Sequence, residues 1–417
     1  MKRNYYIVAL IMLTFFVISF LTNVIGPLIP DIIKGFNLSL TLVALLPFAF
    51  FIAYGVMSIP SGMLIEKYKE KKVMIAAFVV AFLGSLLLAL VPNYLTAVVS
   101  LFLIGCGMAM LQVVINPLLR TSGGEEHYAF TSVLAQLIFG LASFLSPLVY
   151  SYMVLSLSKG SDSAYSKILS LVPRDLPWIS LYWLFAIICF LMIVVVGLSK
   201  FPKVQLSTEE KAGPLETHIE LFKNRKVILF FIAMVCYVGT EQGVANWISQ
   251  FLSTYHGYDP QTKGAEDVAY FWGLMTAGGV VGLLLLKIMD SRKVLIVFTM
   301  LALACLTLAL FGSASISLVA FPLIGFFASV MYPIIFSLAL NSVKEHHGSF
   351  SGIIVTGIIG GAIVPLIIGW LGDLSGLRTG MLFLYLTMGY ILSIGFWAKP
   401  IITNKTIKLF GRKKSTD

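Results

Sequence analysis

The sequence predicts an all-α membrane protein in which twelve transmembrane helices form two six-helix halves around a central cavity. Three observations carry this. Of 417 residues, 59% are hydrophobic and only 12% charged, with a mean hydropathy of +0.95, well beyond what a soluble domain carries. Apolar runs near the 20 residues needed to cross a bilayer recur twelve times. A polar break in mid-chain then divides the runs into two sets that match at a constant offset, pairing Gly62 with Gly282, His127 with His347, Phe130 with Phe350 and Gly140 with Gly360.

The expected spans are 5–29, 41–65, 73–91, 95–119, 129–155, 179–198, 227–252, 268–288, 294–312, 316–341, 350–371 and 379–398. The runs are unbroken and lack strand-like alternation, which selects helices over a barrel. The first run is too long for a signal peptide and has no small-residue cleavage site, so it reads as an uncleaved span. The domains follow: 1–199 as the first half, 200–226 as a linker with Pro202 and Pro214, 227–399 as the second half and 400–417 as a tail. The segment 156–178 reads as a solvated outer connector.

An even number of spans puts both termini on one side, and the basic residues choose it. All but Lys34, Lys159, Lys167, Arg174, Lys263 and Arg378 of the 29 Lys and Arg fall on the side of the termini. The positive-inside rule therefore predicts a cytoplasmic (inner) membrane protein with cytoplasmic termini. The same distribution accounts for the +10 net charge and argues against a nucleic-acid partner, because the bases sit in scattered loops and a short tail. The four cysteines, Cys106, Cys189, Cys236 and Cys305, lie in spans without metal-ligand spacing and read as apolar packing.

Taken in chain order, polar groups at mid-depth mark the cavity. An ionised or amide side chain inside a span is costly, and hence a functional candidate. Span 1 carries Ser19, Thr22, Asn23 and Gly26 along one face; span 4 carries Gln112 and Asn116 four apart, then Pro117; span 5 carries Ser132, Gln136 and Gly140. In span 7, Glu241 is the one clear intramembrane acid, flanked by Gly239 and Gly243, with Gln242, Asn246 and Trp247 following. Tyr332-Pro333 interrupts span 10, and Thr356 opens a glycine-rich stretch of span 11. Amides and aromatic faces suit a neutral polyol, since hydroxyls take directed hydrogen bonds while apolar sugar faces lie on rings. Interhelical fastening is the structural alternative for each amide, and helix pairing for Glu241. Asp31 reads as a solvated end charge.

The end of span 2, Gly62 through Glu66 and Lys67 to Lys71 and Lys72, is echoed after span 8 by Gly282, Asp290, Arg292 and Lys293. This glycine, acid and paired-base pattern resembles the inner-loop signature of the major facilitator superfamily, and implies a conformational gate. The first copy departs from it, with Glu66 in place of Asp and Lys69-Glu70 where a glycine is usual.

Further runs, Phe50 to Gly62, Leu111 to Pro117, Leu134-Ala135-Gln136, Tyr237 to Glu241 and Tyr332 to Leu338, resemble the fucose-galactose-glucose branch of that superfamily. The resemblance implies a monomeric transporter of a monosaccharide such as glucose, galactose, fucose or N-acetylglucosamine, working by alternating access. Gln112 and Glu241 match the glucose/galactose type. Where the branch shows an Asp ahead of its Leu-Ile-Pro turn, this chain has Gly26, which leaves Glu241 as the candidate carboxylate for coupling to a proton or sodium ion. No other cofactor is expected. Uncoupled sugar uniport, or carriage of another neutral metabolite or a drug, are the transport alternatives. An enzyme is disfavoured because no expected span contains a His.

Overall fold

The computed structural model describes residues 4–124, 128–158, 172–202, 220–342 and 347–399. Most of the expected linker, the middle of the 156–178 connector, the tail and the side chain of Glu66 lie outside the described residues. All regular elements among the described residues are helical. Twelve helical spans are long and apolar enough to cross a membrane: Tyr5–Phe36, Leu40–Ile65, Glu70–Leu90, Tyr94–Gly123, Phe130–Leu157, Pro177–Leu198, Arg225–His256, Pro260–Ile288, Ser291–Phe311, Ala314–Leu340, Ser349–Ser375 and Leu377–Trp397. Each expected span has its counterpart. Ends move most where a polar first turn belongs to the helix: span 8 starts at Pro260, eight residues before the expected 268.

Two spans are broken in the same way. Span 1 consists of helices Tyr5–Thr22 and Ile25–Phe36, and span 10 of helices Ala314–Ala328 and Met331–Leu340. In both, a proline is the third residue of the second piece, Pro27 and Pro333. A proline there has no N–H to give the carbonyl four residues back, so the carbonyls of Asn23 and Ser329 lose their helical partner and the break falls beside them. Tyr332-Pro333 thus causes the interruption but sits just after it.

The first six spans pack among themselves, span 2 on span 4, span 3 on spans 4 and 6, and span 1 on span 5; spans 8, 9 and 10 pack likewise in the last six. The two groups meet along a seam formed by spans 1, 2 and 5 on one side and spans 7, 8 and 11 on the other. Glycines permit the closest approaches. A Cβ on Gly26 would overlap the Ala245 carbonyl of span 7, and one on Gly369 would press on the Leu40 carbonyl and Ala44 of span 2.

The seam is tied on the face opposite the linker. Asp373, near the end of span 11, accepts from the N–H groups of Leu40 and Thr41 at 2.8 Å each and from the Thr41 hydroxyl at 2.5 Å. Asp31 corrects an expectation: it is no free end charge. Its carboxylate is partly buried, accepts from the Tyr150 hydroxyl at 2.5 Å, and is bound by the Gln261 amide at 3.1 and 3.2 Å. Deeper along the seam Phe51 lies against Gly361, whereas a Cβ on Gly62, nearer the linker face, would meet nothing within 4 Å.

Candidate functional site: a carboxylate and an aromatic wall on span 7

Glu241 lies midway along the 32-residue helix Arg225–His256. Its Oε2 accepts from the Tyr237 hydroxyl at 2.6 Å, one turn earlier on the same face, and its Oε1 from the Gln242 amide at 3.2 Å. No Lys, Arg or His among the described residues forms an ion pair with it; the pairs among them are Lys263–Glu266 and Arg292–Asp290. The carboxylate is therefore held by neutral donors, which leave it free to exchange a cation without breaking a salt bridge.

Aromatic rings gather beside Tyr237. The Tyr332 ring stands 5.8 Å from the Tyr237 ring and stacks on Phe336 at 6.0 Å with an interplanar angle of 13°. The break before Met331 sets this wall, since it starts the second helix of span 10 two residues ahead of Pro333 and presents Tyr332 and Phe336, four apart, on one face. Span 2 adds a second aromatic pair, Phe51 stacked on Tyr54 at 6.1 Å, with Phe51 next to Gly361, which also touches Gln242.

The remaining expected residues separate into groups. Asn116 and Gln136 are exposed in the halves of spans 4 and 5 nearer the linker face, and Gln112 is half-buried. Asn116 also donates to the Gln112 carbonyl at 3.4 Å, within its own helix. Asn23 is buried; its amide donates to Ser143 at 2.8 Å and Ser19 at 3.4 Å, and Ser19 in turn bonds Ser143, so this cluster ties span 1 to span 5. Asn246 is buried at the seam beside Gly26, with its amide nitrogen lacking a partner. Thr356 bonds its own helix at Gly352.

Trp247 is a correction. Its ring is fully buried between spans 7 and 11, and Nε1 donates to the Pro365 carbonyl at 3.3 Å. It serves the packing of the last six spans and, being fully buried, offers no stacking face.

The loop signatures hold helix ends. Lys71 donates to the carbonyls of Gly197 and Ser199 at 2.7 and 2.8 Å, at the end of span 6. In the second copy, Arg292 bonds Asp290 at 3.3 Å and reaches the Ala398 carbonyl at 3.4 Å, at the end of span 12. Each copy thus braces the last span of its own six. Lys67, Lys72 and Lys293 are exposed.

A buried acid escaped the sequence reading, as did the exposed Asp373. Asp267 is 2% exposed in the first turn of the helix Ala265–Ile288, and its Oδ2 has no partner. With span 8 expected from residue 268 it fell just outside. An acid directly abutting an apolar run was the signal available.

A family model described as Major Facilitator Superfamily matches residues 11–365. A glucose/galactose transporter of Brucella abortus biovar 1 (strain 9-941) is 30% identical over 400 residues, covering 94% of both chains. The L-fucose-proton symporter of Escherichia coli (strain K12) is 28% identical over 399 residues, covering 90% of this chain and 89% of that one. Among solved structures, the fucose:proton symporter in its outward conformation superposes with a TM-score of 0.66 at 24% identity, over 94% of this chain and 98% of that one. An inward-facing, unoccupied bacterial homolog to the human lysosomal transporter Spinster scores higher, 0.77 at 13% identity, over 94% and 96%.

Proposed function

We propose, for a chain that belongs to the Major Facilitator Superfamily, uptake of a monosaccharide by alternating access, driven by a proton or sodium ion that Glu241 takes up. The observation that carries this is the Glu241 site, where a carboxylate without a basic partner sits at mid-membrane beneath the Tyr237–Tyr332–Phe336 wall. Exposed amides within spans support a water-filled cavity, because Asn116 and Gln136 facing lipid would be costly. The relatives, a glucose/galactose transporter and a fucose-proton symporter, support the substrate class.

In this reading Gln112, Asn116, Gln136, Gln242 and Asn246 bond sugar hydroxyls, Tyr332 takes an apolar sugar face, and Asn23 and Thr356 shape the cavity from behind. The two groups of six spans are the rocking units, 1–199 and 227–399, and the protein works as a monomer in the bacterial cytoplasmic membrane. Its linker face is cytoplasmic, where the Gly62–Lys72 and Gly282–Lys293 loops brace each unit as it moves.

The test is uptake of labelled glucose, galactose, fucose, mannose and N-acetylglucosamine into proteoliposomes under imposed proton or sodium gradients. Accumulation of one sugar under one gradient is the expected result and identifies the ion. Equilibration without accumulation means uniport, and no uptake of any sugar under any gradient overturns the substrate class.

A further inference from the structure

We propose that Asp373 is a positioning residue for the transport cycle: a carboxylate of the last six spans that caps the first turn of span 2 only while the seam is closed opposite the linker. The first N–H groups of a helix have no partner inside it. Span 2 starts at Leu40, and its own N-cap Ser39 serves only the Leu42 N–H, at 3.3 Å. The Leu40 and Thr41 N–H groups are satisfied instead by Asp373, 333 and 332 positions away in sequence, with both oxygens engaged. A negative charge at the positive end of a helix of 29 residues adds a favourable dipole interaction.

The geometry that allows this is specific to the closed seam. Gly369 lies one turn before Asp373 on span 11 and sits against the Leu40 carbonyl and Ala44, so the absence of a side chain there lets the two helices approach until the carboxylate reaches. Asp31 makes a second tie on the same face, across to Gln261. When the groups of spans part on this face, span 2 loses two satisfied donors at once and water replaces them. Asp373 therefore sets how much of the time the face stays shut. The inference rests on the alternating-access reading but on no particular sugar or ion.

The test uses the full chain in lipid nanodiscs without sugar, with the four cysteines replaced by alanine and spin labels at Val91→Cys and Phe311→Cys, exposed positions at the far ends of spans 3 and 9. In the parent the short inter-label distance dominates. Asp373→Ala is expected to raise the ratio of long to short distances about five- to tenfold, with Asp373→Asn between, since an amide still caps but carries no charge. Distance distributions that stay the same across Asp, Asn and Ala overturn the proposal, as does a lowered melting temperature with unchanged distances, which would make Asp373 a structural cap only. Because no sugar is present, a failed sugar panel leaves this result standing, and an unmoved distance leaves the sugar reading standing.

Discussion

Glu241 is held by neutral partners, Tyr237 and Gln242. A carboxylate paired with Arg is locked by charge, whereas one held by a phenol and an amide keeps its hydrogen bonds in either charge state with a small reorganisation. Glu241→Gln is therefore expected to abolish gradient-driven accumulation, lowering it at least tenfold, while sugar counterflow persists. Both are read by tracer uptake into the same vesicles, and full accumulation in the variant would remove Glu241 from coupling. Tyr237→Phe takes away the 2.6 Å donor and is expected to weaken gradient-driven accumulation in the same vesicles, because the carboxylate loses its shorter hydrogen bond. Side chains were legible in the sequence where type alone decides, as for an acid in mid-span. They were illegible where azimuth or reach decides. Trp247 is one step from Asn246 yet points into packing, and Asp31 meets Gln261 across 230 positions of sequence.

Helices were legible as apolar runs, but their interruptions depend on hydrogen-bond register. Tyr332-Pro333 flagged span 10, while the carbonyl that goes unbonded is four residues earlier. Gly26 has the same logic of position. The resemblance suggests an Asp there, but any side chain would run into the Ala245 carbonyl. Gly26→Asp is expected to impair transport strongly rather than add a coupling group. Overpacking of this kind costs about 1–3 kcal/mol, visible as a lower melting temperature together with lost uptake; a variant with normal uptake would show that spans 1 and 7 part easily. At the other face, Asp290 caps the helix Ser291–Phe311. Partial burial pushes its carboxyl pKa up, but hydrogen bonds from the Arg292 side chain and N–H, and the Arg292 charge, outweigh this and hold it below its ordinary 3.8. A depressed folded value means the cap stabilises at and above that ordinary pKa and is lost as pH falls through the folded value. The melting-temperature gap between the parent and Asp290→Asn is thus expected to be constant at neutral pH and to close below pH 3.8.

At the scale of the molecule, loop charge bears on the orientation in the membrane and the seam on which face is tied. The sequence places basic residues on the side of the linker, which the positive-inside rule makes cytoplasmic. The described structure ties its seam on the other face through Asp373 and Asp31, so in the proposed orientation the tied face is the outer one. Two single-cysteine variants in the cysteine-free background test the orientation. Lys293→Cys, exposed on the linker face, is expected to react with a membrane-impermeant maleimide only after cells are opened, and Val91→Cys, exposed on the opposite face, in intact cells. The reverse pattern would invert the molecule and overturn the proposed orientation. It would also turn the Asp373 cap into a cytoplasmic tie, so the direction of sugar movement would have to be assigned anew.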